Sequence, residues 1–411
     1  MFNLQYHLGE NFLASHNYNP ELLMTIAGMD HRAGRIVDAQ RGYRAVLELR
    51  PDDAKALHLL GLTEAELGRL DAGIGLMRRA AALKPSDANI HVSLAHLFHR
   101  AANLEEAVLA CSRAVKAAPQ RADLFELLVQ TTGKLTEQAA RMGTLIAEPP
   151  KTTPSDSEPQ SVSIIVCSID DEKARRIRAH YEALFAGRTM EILQIGDAKS
   201  LCEAYNRGVA QTSGDVLIFS HDDIEIVSDD FAGRLMRHMM SNDIVGVAGT
   251  SRLAGPAWIM AGWPHVHGCI AHQLGDRNNL TFECYGPASG AIAIQAVDGV
   301  FFAVRRSVFD KVTFDAGMFD GFHLYDIDFS FTAFTAGFRI AVPWDILLVH
   351  QSGGQYDANW QRYSEKFVKK HRTHFSTMGQ GSTAKWCSVG LKTKAEIVDL
   401  HRRLLDTKTQ D

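Results

Sequence analysis

The sequence is poor in the features that mark specialised classes of protein. None of its hydrophobic runs approaches the roughly 20 apolar residues that a membrane-spanning helix needs. Its six cysteines are scattered and form no Cys-x-x-Cys pair, which favours reduced, mostly buried thiols over a disulfide framework or a zinc site. The first residues, MFNLQYHLGENFL, lack the basic start and apolar core of a secretion signal. The chain is therefore expected in the cytoplasm, without a transmembrane segment.

Charge of either sign is not in large surplus. Lys and Arg number 43 against 48 Asp and Glu, and the net charge of -5 gives no reason to expect nucleic acid as a partner. Hydrophobic residues make up 46% and charged residues 22%, which is ordinary for folded globular proteins. At about 100 to 200 residues per domain, 411 residues are enough for two or three domains.

A 34-residue period runs through the first part of the chain. Proline recurs at this spacing, and since it lacks an amide hydrogen and clashes with the preceding turn, each proline is expected to close the second helix of a repeat. Small residues in a fixed phase would let the two helices of one unit approach closely. The residues in phase are Pro51, Pro85 and Pro119; Gly34, Gly68 and Ala102; Ile36, Leu70 and Leu104; Ala39, Gly73 and Ala107; and Val46, Ala80 and Ala114.

This pattern resembles the tetratricopeptide repeat, which builds an all-α solenoid. The resemblance implies units at 20–53, 54–87 and 88–121, followed by one more helix or helix pair over 122–147. A plain helical bundle is the alternative. Arrays of this type bind a peptide, a partner protein or another copy of the same chain, and the sequence does not choose among these.

The composition changes after the array. Four prolines within 148–160 indicate a linker between the array, 1–147, and a second fold. Beyond it, strands at 163–167, 191–195 and 216–219 alternate with helices at 173–185 and 201–210, which is typical of βαβ units and a parallel sheet. Ligands bind beyond the carboxyl ends of such strands. The residues found there are Ser168, Asp170, Gly196, Asp197, His221, Asp222 and Asp223, and their polar groups are expected to converge on one edge of the sheet.

Four motifs of this second part resemble, in order, those of GT-A glycosyltransferases of family 2. They are EAYNRG with TSGD and VLIFSHDD, then DGVFFAVRR, then FDGFHLYDIDFS, then LLVHQSGG. The resemblance implies a GT-A domain over 161–375, an α/β Rossmann-like fold with a mixed sheet, and a helical extension over 376–411. It also implies transfer of a sugar from a nucleotide-sugar donor to an acceptor hydroxyl, with inversion and with Mn²⁺ or Mg²⁺ as cofactor.

The resemblance places the cation after the third predicted strand. Asp223 matches the last acid of the family's Asp-x-Asp motif, and His350 matches its late metal-binding histidine. An imidazole among oxygen ligands favours Mn²⁺ modestly. His221 stands where the family has its first acid, so its role stays open between ligand and orienting group for the diphosphate or ribose. Asp222 is the second choice as ligand and is assigned to the nucleotide-sugar; both acids are also typical of loops or helix caps.

Asp326 matches the family's catalytic acid, which takes the proton of the acceptor hydroxyl. Tyr325 stands where the family usually has Glu. Asp328 is expected to cap or brace a helix. The alternative is that Asp326 and Asp328 both cap a helix over 329–336.

The donor contacts are predicted more loosely. Asp197 is assigned to the nucleotide base, while Ser168, Asn206 and Gly208 are assigned to the neighbourhood of the diphosphate. Asp298 is placed between donor and acceptor, or it turns the chain before a glycine. Each of these residues is equally typical of a turn, a loop or a cap.

Two further segments have predicted roles. The stretch 249–290 is rich in Gly, Trp and His and is interpreted as an acceptor loop or lid. A basic helix at 362–374 presents a solvated face, or else contacts anionic lipid or an acidic acceptor, and an amphipathic helix at 391–405 closes the chain. The aromatic and imidazole residues of the first segment are Trp258, Trp263, His265, His267 and His272.

The leading hypothesis is a metal-dependent inverting glycosyltransferase whose array recruits an acceptor protein or drives self-association. The acceptor would be a glycan, a lipid-linked glycan or a protein. A scaffold whose transferase-like domain has lost catalysis is the alternative, because His221 and Tyr325 depart from the motifs. A nucleotidyltransferase would need a basic loop after the first strand, where the segment 168–172, SIDDE, is acidic instead.

Overall fold

The computed structural model describes residues 19–141, 159–273, 280–286, 293–353, 357–375 and 387–406. The chain divides into two compact units, Met1–Thr131 and Thr132–Asp411. The predicted linker lies outside the described residues except for its last two. Across the described part of the chain, no helix combines the length and the apolar character needed to cross a membrane.

Helix pairs that recur every 34 residues form the first unit, and they confirm the predicted tetratricopeptide-type array. Each predicted proline lies two residues after the end of a second helix, as expected. A single long helix follows the third pair in the described residues. The helices are α1 (Pro20–Arg32), α2 (Ile36–Leu49), α3 (Ala54–Glu66), α4 (Leu70–Leu83), α5 (Ala88–Arg100), α6 (Leu104–Ala117) and α7 (Ala122–Arg141).

The residues in phase at 34, 68 and 102 lie in the turn between the two helices of each pair, where the backbone conformation and not helix packing requires a small residue. Gly34 and Gly68 have φ of 75° and 80°, and Ala102 has φ of 55°. This left-handed conformation favours a residue with little or no side chain, so these positions serve the turn and not close helix packing. Close packing does occur at another set, because a Cβ on Gly73 would lie 2.6 Å from the carbonyl oxygen of Gly61.

After α7, the described residues of the second unit form two β-sheets, seven α-helices and two short 3-10 helices. The strands are β1 (Ser161–Cys167), β2 (Thr189–Ile195), β3 (Val216–Ser220), β4 (Ile224–Ile226), β5 (Ile244–Gly246), β6 (Ala248–Thr250), β7 (Val266–Gln273), β8 (Leu280–Gly286), β9 (Ala296–Val297), β10 (Phe301–Arg305), β11 (Ile340–Ala341), β12 (Leu348–His350) and β13 (Cys387–Leu391). The helices are α8 (Asp171–Leu184), α9 (Leu201–Gln211), α10 (Phe231–Ser241), α11 (Tyr325–Thr335), α12 (Ala358–Lys370), α13 (Arg372–Phe375) and α14 (Lys394–Asp406).

The first sheet has the strand order β11-β5-β10-β3-β1-β2. Strands β2, β1 and β3 are parallel and are joined by α8 and α9, which confirms the predicted βαβ units. Strand β10 runs antiparallel to both β3 and β5, so the sheet is mixed. Because β3 is buried along its whole length, the residues that follow it extend from a rigid support.

The second sheet has the order β13-β8-β7-β12-β4, with β6 paired to β7 and β9. Strands β6, β7 and β8 occupy about half of the described part of 249–290, so the prediction of a loop is wrong for those residues. Residues 251–265 connect β6 to β7. Trp258 and Trp263 are only 6% and 4% exposed. Their indole N–H groups donate to Asp298 and to the carbonyl oxygen of Tyr285, so their rings are not free to stack on a sugar.

Helix α11 begins at Tyr325, four residues before the predicted helix. Asp326 and Asp328 therefore lie inside its first turn, and the hypothesis that they cap it is wrong. The capping position is held by Leu324, whose φ of 62° is left-handed and whose side chain makes no cap. The backbone turns sharply there, immediately before the predicted base.

Asp328 braces α11 against the basic helix that the sequence predicted, now seen as α12 and α13. Its carboxylate is 3% exposed and accepts hydrogen bonds from Lys370 Nζ at 2.7 Å and His371 Nε2 at 2.8 Å. Part of the positive charge of this helix is therefore used inside the fold. The predicted closing helix is confirmed as α14.

Candidate active site

Strand pairing brings two distant segments together beyond β3. Residues 221–223 connect β3 to β4, and β4 pairs antiparallel with β12, which ends at His350. Two backbone bonds secure the arrangement: the Gln351 amide donates to the Asp223 carbonyl at 2.9 Å, and the His221 amide donates to the Val300 carbonyl at 3.1 Å. His350 is thereby placed beside the acid predicted as its co-ligand.

The side chains of His221, Asp223 and His350 form a compact cluster. His350 Nε2 lies 3.3 Å from Asp223 Oδ1 and 3.4 Å from His221 Nδ1, and His221 Nδ1 lies 3.9 Å from Asp223 Oδ1. Asp223 and His350 are both buried. Among the described residues, this is the group of three His, Cys, Asp or Glu side chains that each offer one ligand atom within 4.8 Å of the other two.

The chemistry of this cluster fits a divalent cation. Burial alone would raise the pKa of Asp223, but the hydrogen bond and charge of His350 outweigh it and hold the pKa well below its usual range. The pKa of His221 is lowered, first by burial and then by the neighbouring His350. An ionised carboxylate and a neutral imidazole are the protonation states that bind metal.

The two residues that depart from the family motifs contact each other. His221 Nε2 lies 3.1 Å from the hydroxyl of Tyr325, and that hydroxyl donates to the carbonyl oxygen of Gly299 at 3.1 Å. Tyr325 is buried, and burial raises its pKa well above the usual value, so the hydroxyl keeps its proton. The sequence did not anticipate this contact, because the two residues are 104 positions apart.

Asp326 follows Tyr325 on the first turn of α11 and is half-buried. Burial, and then the negative charge of Asp298, raise the pKa of Asp326 to about 7. The two acids approach each other because α11 packs on β9, where the Val297 amide donates to Ser330 Oγ at 3.1 Å. A carboxyl with such a pKa can exchange a proton near neutral pH.

Asp298 has a hydrogen-bond donor at each oxygen. The Trp258 indole N–H donates to Oδ2 at 2.8 Å, and the Val300 amide donates to Oδ1 at 2.9 Å. These bonds fix the orientation of the carboxylate. Trp258, predicted as an acceptor-loop aromatic, is thus a buried partner of the acid next to the predicted base.

The comparisons with known proteins bear on this same part of the chain. The model of a family described as a glycosyltransferase-like family matches residues 163–371, just over half of the sequence. The chain belongs to this glycosyltransferase-like family. The cluster at residues 221–223, Asp298, Asp326 and His350 all lie inside the matched region.

Solved structures resemble the chain only distantly. MamA from Desulfovibrio magneticus is 21% identical over 31% of this chain and 72% of that one, with a TM-score of 0.27. The chaperone SycD from Yersinia enterocolitica, in complex with a peptide of the translocator YopD, is 19% identical over 30% of this chain and 93% of that one, at 0.26. An O-GlcNAc transferase variant from Thermobaculum terrenum is 22% identical over 46% of this chain and 40% of that one, at 0.27. No curated protein sequence matches the chain.

Two of the residues predicted to contact a donor, Ser168 and Asp222, meet at the carboxyl ends of β1 and β3. Ser168 Oγ donates to Asp222 Oδ2 at 2.6 Å, and Lys173 Nζ lies 3.8 Å from the other oxygen. The structure thus turns Asp222 toward Ser168, while the neighbouring acid faces the two histidines. The pair of adjacent acids is divided between two different environments.

The remaining predicted donor residues have structural contacts of their own. Asp197 is exposed and forms an ion pair with Arg207, with 2.8 Å between Oδ1 and Nη1. The side-chain amide of Asn206 donates to the carbonyl oxygen of Phe314 and accepts from its amide, so it ties two segments together. A Cβ on Gly208 would lie 2.7 Å from Ile165, which gives this glycine a packing role between α9 and β1.

Proposed function

We propose that the second unit transfers a sugar from a nucleotide-sugar donor to an acceptor hydroxyl, with inversion and with a divalent cation. One observation carries the proposal: the hydrogen bond between His221 and Tyr325 joins the candidate cation site to the segment that holds the candidate base. His221 belongs to the cluster and shares a hydrogen bond with Tyr325, the residue directly before Asp326. Displacement at a sugar carbon requires both functions at one place.

Asp223 and His350 would hold the cation, as the resemblance implied. When bound, a divalent cation supplies charge neutralisation to the diphosphate as its bond to the sugar breaks. Ser168 and Asp222 lie beyond the neighbouring strand end and would contact the donor there. Asn206 and Gly208 stay in the proposed donor site, where Asn206 also bonds to Phe314 and Gly208 also packs against Ile165.

Asp326 would act as the base. The acceptor oxygen forms a bond to the sugar carbon while the bond from that carbon to the diphosphate oxygen breaks. The acceptor proton moves to a carboxylate oxygen of Asp326, and the electron pair of the broken bond leaves with the nucleoside diphosphate. Attack opposite the leaving group inverts the sugar carbon. A pKa of about 7 lets Asp326 accept this proton near neutral pH.

Calorimetry with a panel of nucleoside diphosphates, with and without Mn²⁺, tests the donor half of the proposal. Binding of at least one of them should depend on the cation, and absence of any cation-linked binding would contradict it. The variant Asp326→Asn tests the base: it should keep donor affinity and lose transfer. Asp310→Asn, which changes an exposed carboxyl of the same unit, is the matched control and should keep both.

The scaffold alternative predicted that His221 and Tyr325 mark a site that has lost its function. The hydrogen bond between the two residues argues against this interpretation, because residues in a site that has lost its function need not complement each other. The contact instead supports a site in which one change accompanies the other.

The first unit is proposed to serve the second by recruiting an acceptor protein or by self-association. The regular array of helix pairs supports this, since such arrays present an extended surface to partners. We retain the boundaries 1–147 for the array and 161–375 for the transferase domain as part of this proposal. The predicted helical extension over 376–411 also contains β13, which pairs with β8 of the transferase domain.

A further inference from the structure

We infer that His221 is the third ligand of the cation site, that Tyr325 fixes the tautomer in which it can bind, and that the resulting ligand set selects a first-row transition cation over Mg²⁺ and Ca²⁺. The inference rests on the proposed function, because it names the cofactor class of that site. It gives a role to the two residues at which the chain departs from the family motifs.

The Tyr325 hydroxyl has one hydrogen to donate. The carbonyl oxygen of Gly299, 3.1 Å away, can only accept, so that hydrogen is directed to Gly299. The hydroxyl oxygen is then an acceptor toward His221 Nε2, also 3.1 Å away. His221 must therefore carry its hydrogen on Nε2, which leaves Nδ1 with an unshared electron pair.

Nδ1 is the nitrogen that faces the cluster. It lies 3.4 Å from His350 Nε2 and 3.9 Å from Asp223 Oδ1. With metal–ligand bonds of about 2.1 Å, two ligands at a right angle lie about 3.0 Å apart and two at the tetrahedral angle about 3.4 Å apart. The 3.3 Å between His350 and Asp223 and the 3.4 Å between His350 and His221 therefore suit one ion at the tetrahedral angle. The 3.9 Å between His221 and Asp223 is wider, so one of these two side chains must move toward the ion when it binds.

The donor atoms decide which ion is preferred. Mg²⁺ and Ca²⁺ prefer oxygen ligands. Among first-row transition cations, imidazole nitrogen suits Fe²⁺, Ni²⁺, Cu²⁺ and Zn²⁺, and Mn²⁺, which also binds oxygen, accepts nitrogen more readily than Mg²⁺ does. Two nitrogens and one carboxylate oxygen therefore favour the second group. Asp222 does not restore an oxygen-rich set, because its carboxylate is turned to Ser168. Groups that orient a metal-binding histidine in this way typically change metal affinity by about 10- to 100-fold when removed.

The test uses the full chain, freed of metal, with Mn²⁺ as the probe and no donor present. Mn²⁺ binding followed by electron paramagnetic resonance should show two coupled imidazole nitrogens, and equimolar Mg²⁺ should not displace the ion. His221→Ala should leave one coupled nitrogen. Tyr325→Phe should weaken Mn²⁺ binding by about 10- to 100-fold.

Tyr363→Phe is the matched control, since it removes a hydroxyl that bonds to Asp320 in the same unit, and it should leave Mn²⁺ affinity unchanged. If Tyr325→Phe does not fold by circular dichroism, the nitrogen count in His221→Ala decides alone. Two nitrogens retained in that variant, or equal affinity for Mg²⁺ and Mn²⁺, would overturn the inference. Nucleoside diphosphate binding supported equally by Mg²⁺ would leave the proposed function standing, whereas two-nitrogen Mn²⁺ binding without any nucleotide binding would reject the function and keep the cation site.

Discussion

Asp326 is the residue whose ionisation should be visible in the pH dependence of transfer. Its pKa is raised to about 7 by burial and then by Asp298, so the carboxyl is protonated below that pH and cannot accept a proton. We expect kcat/KM to rise with pH through about 7 and to level off above it. Initial rates over a pH series at limiting acceptor would measure this.

Asp298→Asn removes the negative charge that adds to this shift, so the midpoint of the pH profile should move to lower pH. The midpoint should stay above that of an ordinary aspartate, because burial is the larger cause. This variant is expected to lower the rate as well, but the midpoint is independent of that loss. An unmoved midpoint would mean that Asp326 is not the group that titrates.

Gly299 is the second residue with a sharp expectation. A Cβ there would lie 2.3 Å from the Tyr325 hydroxyl and 2.7 Å from Asp326 Oδ2. Gly299→Ala should displace both side chains and lower transfer by about 100-fold, as misplaced catalytic groups commonly do. Measured rates should be compared with those of Gly390→Ala, where the added Cβ meets nothing within 4 Å. Equal rates in the two variants would contradict the geometry described here.

At the scale of elements, the brace between α11 and α12 should contribute strongly to stability. Asp328→Ala leaves His371 without its buried partner and Lys370 with Asp315 as its remaining partner, and losses of this kind cost up to about 3–5 kcal/mol. All five tryptophans lie at or beyond residue 258, so tryptophan fluorescence during urea unfolding reports on the second unit. Asp320→Ala, at an exposed carboxylate that pairs with Lys366 on the same helix, should leave the urea midpoint nearly unchanged.

The turns of the array offer a reciprocal pair of substitutions. Ala102 adopts the left-handed conformation that glycine adopts at the equivalent positions, at a cost in free energy. Ala102→Gly should raise the free energy of unfolding by about 0.5–1 kcal/mol, and Gly68→Ala should lower it by about 1 kcal/mol. Urea unfolding followed by far-ultraviolet circular dichroism would measure both. A change of the same sign in the two variants would refute the conformational explanation.

At the scale of the whole molecule, the proposed roles of the two units can be tested separately by the choice of substrate. Removal of residues 1–147 should lower transfer to a macromolecular acceptor by about 10-fold or more, because the second binding surface is lost. Hydrolysis of the donor in the absence of acceptor, and donor affinity, should stay unchanged. If transfer to the macromolecular acceptor also stays unchanged, the array has no recruiting role.

Local patterns in the sequence determined the array and the βαβ units. The 34-residue period fixed the helix pairs because each pair contacts mainly its neighbours along the chain. Alternating strands and helices located β1 to β3 for a similar reason, since consecutive elements usually pack together. Asp223 and His350 were predicted as cation ligands, and Asp326 as the base, from motifs. These motifs depend on short spacings of the same kind.

Only the tertiary structure decided how the remaining residues are used. A single sequence does not show which distant strands pair. Strands β6 to β8 within 249–290 were therefore mistaken for a loop, and the buried Trp258 and Trp263 for aromatics that could stack on a sugar. The meeting of His221 with Tyr325, and of Trp258 with Asp298, depends on segments 104 and 40 residues apart. The segment VLIFSHDD predicted a strand that ends in polar residues. In the fold, its two acids face different partners, and His221 lies beside His350 because β12 pairs with β4.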